Sequence, residues 1–425
     1  MVDFKKLNVL MVGTGEYTTG WTSSGTASTS DKKVGVVGLV MFDLRRRGKV
    51  NHLSLAGTNG TKFPAIREHL QKNIAGVYRD MDVSVQTFPG DNQKDPQSYK
   101  AAIESLSPGD AITIFTPDST HYEIALYAVQ RGIHVLVAKP AVKLLAHHQT
   151  LVEEAKRHNV VVMVEHHKRW DPVYADAVAR IRKMGDFGYY YSYMSQPKKQ
   201  LWTFKDWAGR DSDISYYLNS HHIDIHCWAM EGLAEPMSVT ASAATGTATS
   251  EPYKCVAGTE DTITLVTQWR SIKTGNLGTA IYTASWAAPL GSDVHSQQYF
   301  HCMSAGGEVR VDQAHRGYTV TTDDAGQNSY NPLYMKYTAD DDGYYSGQNG
   351  YGYQSLEAFV DVCRDVNAGR RTVAEVDKNS GNPTIRNTTI TTAILEAGRI
   401  SLDKEGKRVG LFQNGHGEWR LEILS

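Results

Sequence analysis

The sequence predicts a two-domain α/β chain. A parallel sheet wound with helices comes first, followed by an α+β unit on a large, mostly antiparallel, open-faced sheet. Three observations predict it. Strand-like apolar runs alternate with helix-like runs over the first 164 residues, the pattern that forces parallel strands joined by crossover helices. Two glycines, Gly13 and Gly15, directly follow the first apolar run, Val9 to Val12. Beyond residue 165 the pattern changes to Thr/Ile/Val-rich stretches joined by turns, as from Asp261 to Trp286. The expected division is 1–164 and 165–425.

Bulk composition narrows the function classes. At 425 residues the chain is long enough for two separate cores. A net charge of −2 gives no electrostatic reason to expect nucleic acid or a membrane as partner. No apolar run approaches the roughly 20 residues of a membrane helix, and no signal peptide is visible at Met1 to Asn8. Cys227, Cys255, Cys302 and Cys363 are widely spaced without a CxxC pair, so neither zinc nor a disulfide framework is indicated. A cytoplasmic enzyme is the expectation.

The first strand runs into Gly13-Thr14-Gly15-Glu16-Tyr17. Glycines there permit a tight turn and bring backbone amides up to a pyrophosphate at a helix start, the Rossmann arrangement for dinucleotides. Thr18 to Ser30 is a Ser/Thr/Gly-rich insertion. It delays the expected helix to about Lys33 to Arg46, with Ser30 or Asp31 as N-cap. The insertion reads either as a free excursion or as a flap over the cofactor phosphates with Trp21 as a wedge. The second strand, Leu53 to Ala56, ends without the Asp or Glu that usually holds the ribose hydroxyls of NAD. Thr58, Asn59, Thr61 and Lys62 could instead receive a 2′-phosphate, which makes NADP as well as NAD a candidate cofactor.

The most informative stretch is Thr116-Pro117-Asp118-Ser119-Thr120-His121, followed by Gly132 to Pro140. It reads as strand end, proline turn, helix, glycine break and a second buried strand. Lys139 then stands at the carboxyl end of a parallel strand, where open α/β sheets bind ligands. Burial in a cleft lowers a lysine's pKa and suits it to proton transfer. His121 begins the helix, either capping backbone amides or approaching the cofactor. Helix 146–158 and the strand Val160 to Val164 follow.

This run, TP…H…A…GIHVL…KP, resembles the Gfo/Idh/MocA oxidoreductases, the group of glucose-fructose oxidoreductase and inositol dehydrogenase. The resemblance implies that Lys139 lies beside the nicotinamide and the reacting hydroxyl. The family's Glu-Lys-Pro glutamate is Ala138 here. The segment Val164 to Pro172 resembles the crossover into the second domain, with His166 and His167 as cleft candidates. Arg169 is there to anchor the next helix or to touch substrate. Tyr216 to Trp228 resembles the family helix Asp-x-x-x-His-x-x-Asp, with Tyr217, His221 and Asp224 in those positions. Tyr217 and His221, one turn apart on a helix, are then candidate catalytic partners of Lys139, with His221 taking the hydroxyl proton. His222 is a further substrate candidate. His222 and His226 share a helix face, but no second cluster of ligands accompanies them, and no metal is expected.

Trp202 and Trp207 offer flat surfaces for a sugar ring, and Lys198, Lys199 and Arg210 could pair with a uronate carboxylate. The resemblance implies a carbohydrate or cyclitol substrate, NAD(P), and a homodimer or homotetramer formed through the outer sheet face. Two other readings stay open: an NAD-dependent glycosidase using transient oxidation, and a non-catalytic sensor retaining the nucleotide fold. Helices are expected near 356–367 and 388–402, and Leu411 to Ser425 carries no readable motif.

Overall fold

A computed structural model describes residues 6–22, 32–324, 326–415 and 417–424. The first sheet contains β1 (Leu7–Val12), β2 (Val50–Ala56), β3 (Gln86–Phe88), β4 (Ala111–Ile114), β5 (His134–Val137) and β6 (Val162–Val164). Its order is β3-β2-β1-β4-β5-β6, and every pair is parallel. Residues of β4, β5 and β6 are buried throughout, because helices cover both faces; this is why these strands read as continuous apolar runs rather than alternating ones. Strand order reverses between β1 and β4, so the crevice at their carboxyl ends is the ligand position of such sheets.

The first helix is interrupted rather than delayed. Glu16–Thr19 forms one helical turn at once, closed by Gly20 in the left-handed region. The backbone amide of Val36 donates to the Tyr17 carbonyl at 2.8 Å, and the helix resumes as Val37–Arg46. The expected start at Lys33 is therefore corrected: the insertion leaves and re-enters within one turn. Ser30 and Asp31, the expected caps, fall outside the described residues. Trp21 packs edge-on against His69, 5.7 Å between centroids, on the periphery of the first core.

The second sheet contains β7 (Phe187–Pro197), β8 (Ala234–Thr245), β9 (Glu260–Ser271), β10 (Leu277–Ala288), β11 (Gln297–Ser304) and β12 (Gly307–Asp312). A separate ribbon pairs β13 (Val320–Thr322) with β14 (Gly326–Asn328). The stretch after Leu411, unreadable in sequence, belongs to the hairpin β15 (Val409–Gln413) and β16 (Trp419–Ile423), which extends the second sheet. Its order is β12-β11-β7-β10-β9-β8-β15-β16. All pairs are antiparallel except β7 with β10. After β7 the chain leaves the sheet through helix Ser220–Met230 and returns at β8. Two reversals, β8 to β9 to β10, then bring β10 alongside β7 in the same direction. Along β7, Tyr190 is buried against His226 while Tyr189, Tyr191 and Tyr193 alternate onto the other face, the period-2 geometry of a strand with one covered face.

Helix Tyr351–Asn367 returns from the second sheet to the first core. Its Tyr353, Leu356, Phe359 and Cys363 pack with Val37 to Phe42, and Tyr353 donates to Asp43 at 2.6 Å. The expected division at residue 164 is therefore crossed by this helix. The crossing sets Ser355 beside the end of β6.

Candidate active site

Gly13 has φ +107°, and a Cβ there would sit 2.1 Å from the Phe115 carbonyl oxygen. Only glycine lets the β1 turn pass this close to the end of β4. A Cβ on Gly15, by contrast, would meet nothing within 4 Å, so open space adjoins the start of turn Glu16–Thr19. Gly57, past β2, abuts Thr14, which brings the β2 end to the same turn. Asn59 caps the short turn Gly60–Lys62 by accepting from the Thr61 amide and hydroxyl. Lys62 has no partner among the described residues. These features fit the phosphate end of a dinucleotide: open space beside a helix start and a free ammonium at the β2 end.

Lys139 reaches across from the end of β5 to the other domain. Its ammonium donates to the Tyr217 carbonyl and lies 4.0 Å from the centroid of the Tyr217 ring. Burial lowers Lys139 from the usual lysine range to about 7. Lys32 and Lys168 push the same way, while Asp118 and Glu165 oppose them. Asp118 and Glu165 are carboxylates that the sequence reading passed over in favour of the missing acid at residue 138. The signal for Asp118 was its place in the Thr116-Pro117 turn.

Tyr217 lies in a widened turn, Ser215–Asn219, directly before helix Ser220–Met230; such wide turns recur at functional sites. Trp207 backs the Tyr217 ring at 5.4 Å and rests on Trp286. His221 is 7% exposed, and its Nδ1 is buried without a hydrogen-bond partner. Burial first, then the charges of Lys139 and Lys168, hold its imidazole well below the usual histidine range. Such a ring is neutral at rest and readily gives up any proton it receives.

Around it stand Glu165 and His167. His167 Nδ1 and Glu165 Oε2 are 2.6 Å apart, and Ser355 donates to Glu165 Oε1 at 2.7 Å. The His167 ring lies edge-on to His221 at 5.3 Å and stacked on Tyr351 at 5.6 Å. Tyr334 also packs on His167 and hydrogen-bonds Tyr17, whose ring stacks on Phe115. The glycine turn and the histidines thus share one set of contacts.

Other expected site residues lie elsewhere or are engaged. His121 is fully buried, with Nδ1 2.9 Å from the Pro140 carbonyl and Nε2 3.0 Å from that of Thr116; it ties the Thr116-Pro117 turn to the Lys139 turn, leaving no nitrogen for a cofactor. Arg169 makes a two-pronged bond to Asp224 (2.9 and 2.7 Å) and donates to the Ser380 carbonyl, so it anchors the domain instead of facing substrate. His166 lies against the same Asp224 at 3.7 Å, 2% exposed. His222 turns into the second core and bonds the Tyr174 hydroxyl at 3.0 Å, and His226 does the same with Tyr282 at 2.6 Å. Trp202 is 51% exposed and packs on Tyr253. Arg210 lines a separate cavity of about 370 Å³ with Lys143 and Arg399.

Residues 7–166 match the profile of an oxidoreductase family with an NAD-binding Rossmann fold, Gfo/Idh/MocA. Over that first-sheet stretch the chain is similar to the Gfo/Idh/MocA family. It is similar to scyllo-inositol 2-dehydrogenase (NAD(+)) of Bacillus subtilis, 32% identical over 120 residues, which cover 26% of this chain and 35% of that one. It is also similar to UDP-N-acetylglucosamine 3-dehydrogenase of Acidithiobacillus ferrooxidans, 29% identical over 181 residues, 43% of this chain and 50% of that one. The match thus spans a third to a half of the length of these relatives. The fold extends further: scyllo-inositol dehydrogenase of Lactobacillus casei with bound NAD(H) and scyllo-inositol superposes with TM-score 0.63 at 15% identity, covering 96% of this chain and 99% of that one. At the two acid positions that the resemblance implies, this chain carries Ala138 and Tyr217, beside Lys139 and His221.

Proposed function

We propose that this protein is a nicotinamide-dependent oxidoreductase acting on a hydroxyl carbon of a sugar, sugar acid or cyclitol. The observation that carries the reading is the meeting of Lys139 with the Tyr217–His221 segment across the two domains, at the crevice beside the Gly13–Gly15 turn. A bound nicotinamide supplies a two-electron hydride acceptor or donor. The chain's own residues do the rest. Lys139, with its pKa lowered to about 7, in its neutral form helps deprotonate the hydroxyl, and neutral His221 carries the proton. Tyr217 seats the ammonium over its ring.

Thr116, Pro117 and Tyr17 line the nicotinamide end in this reading. Thr58, Asn59 and Lys62 face the adenosine ribose, where the absence of a carboxylate favours NADP over strict NAD use. Assembly as a homodimer or homotetramer through the Tyr189, Tyr191 and Tyr193 face belongs to the same reading, and light scattering tests it. No helix among the described residues is long and apolar enough to cross a membrane.

The functional test follows near-ultraviolet absorbance of NADH and NADPH with scyllo-inositol, myo-inositol, aldoses and uronates. Net formation or consumption of reduced nucleotide supports the reading. Cleavage of a glycoside without net reduction assigns the transient-oxidation alternative instead. Nucleotide binding without turnover of any alcohol or carbonyl leaves the sensor reading.

A further inference from the structure

His221 needs somewhere to pass a proton it accepts, and most of its neighbours are engaged. Lys168 is bonded to Gln298, Lys139 to the Tyr217 carbonyl, and Asp224 to Arg169. His166 is buried against Asp224. His167 differs. Its Nδ1 is held by Glu165 at 2.6 Å, its ring meets His221 edge-on at 5.3 Å, and its Nε2 makes no hydrogen bond among the described residues. Its side chain keeps 13% exposure, against 4% for Glu165, so it has a path to water.

We propose that Glu165 and His167 form a carboxylate–imidazole pair that relays the proton between His221 and solvent. The inference rests on the reading of Lys139 and His221 given above. When the hydroxyl is oxidised, its O–H bond breaks and the proton passes to His221, while the electron pair of the C–H bond leaves with the hydride. The proton then moves from His221 to Nε2 of His167. The resulting imidazolium is stabilised by Glu165, which holds the Nδ1–H, and Nε2 releases the proton to water. Reduction runs the same steps backwards. His167 acts through His221, and Glu165 is a positioning residue, fixed in turn by Ser355 at 2.7 Å and by stacking of His167 on Tyr351.

Two measurements test this on the full chain. Long-range ¹⁵N correlation spectra of histidine-labelled protein without nucleotide, assigned by His167→Asn, read the tautomer directly. Wild type is expected to hold Nδ1–H on His167, and Glu165→Gln to weaken that preference. An Nε2–H tautomer in wild type, or a tautomer balance unmoved by Glu165→Gln, overturns the proposal. These spectra need no substrate, so they decide on the pair even where the panel above yields no turnover and the oxidoreductase reading fails.

The second measurement is the pH profile of kcat and a solvent-deuterium proton inventory on whichever alcohol turns over. His167→Asn is expected to lower kcat by about 10² with KM little changed and to straighten a curved inventory. Glu165→Gln is expected to displace the acidic limb of the profile. A variant that loses thermal stability while keeping the wild-type profile and inventory marks His167 as packing only and overturns the proposal. Where His167→Asn fails to fold, His167→Gln and the isosteric Glu165→Gln carry the same readouts.

Discussion

The Lys139 ammonium donates to the carbonyl oxygen of Tyr217 and stands 4.0 Å from the centroid of that residue's own ring. One contact therefore joins the nucleotide sheet to the helix that carries His221, and it sets the lysine in a site that disfavours its charge. Removing the amine removes proton handling but no part of the glycine turn. Lys139→Ala is expected to reduce kcat by about 10²–10⁴ while NAD(P) affinity, read by fluorescence titration, stays within a few-fold. Undiminished turnover sinks the assignment.

The same lysine sets a pH dependence. With its pKa lowered to about 7 by burial, the amine is charged below that pH and neutral above it. Oxidation, which needs a proton acceptor, is expected to gain kcat/KM as pH rises through about 7, and reduction to lose it over the same range. The inflection disappears in Lys139→Ala. Profiles of both directions that are flat around neutrality contradict the lysine's role.

Arg169 and Asp224 are each 2% exposed at the side chain and bonded through two contacts. Arg169→Met strands a buried carboxylate, and such losses cost about 3–5 kcal/mol. The Arg169 charge holds Asp224 below the usual carboxylate range despite burial, so this contribution is present above the unfolded aspartate pKa and fades as pH falls through the folded one. Urea unfolding at neutral pH measures the loss. Adding Asp224→Asn to Arg169→Met is expected to recover part of it; a single variant as stable as wild type refutes the anchoring role.

Gly13 and Gly15 are expected to fail differently. Gly13→Ala forces a Cβ to within 2.1 Å of the Phe115 carbonyl at a φ of +107°, so it lowers both thermal stability and nucleotide affinity. Gly15→Ala meets no protein atom within 4 Å, so it is expected to keep its melting temperature and lose nucleotide affinity. Full nucleotide affinity in Gly15→Ala excludes the space beside that turn as the phosphate position.

Much of this was legible along the chain because the physics is local. Buried parallel strands leave continuous apolar runs, and a turn that passes close to another strand needs glycine. The parallel direction of the first sheet follows from alternating strands and helices, whereas β3 and the order β3-β2-β1-β4-β5-β6 came from the structure. The histidines were harder. His221, His222 and His226 look alike in sequence, yet His222 and His226 close bonds with core tyrosines, and of the three it is His221 that lies against His167.

By itself, then, the sequence determined the two sheets, the glycine turn, Lys139 at a strand end and His221 on its helix. Tertiary structure alone decided what surrounds them. Glu165 meets a serine 190 residues further along the chain, and Lys139 meets a carbonyl 78 residues away. Such partners carry no local pattern, because helix Tyr351–Asn367 must first pack back onto the first sheet before Ser355 can reach the end of β6. Residue spacing could show a missing acid at Ala138; only the folded chain brings Asp118 and Glu165 to act on the lysine.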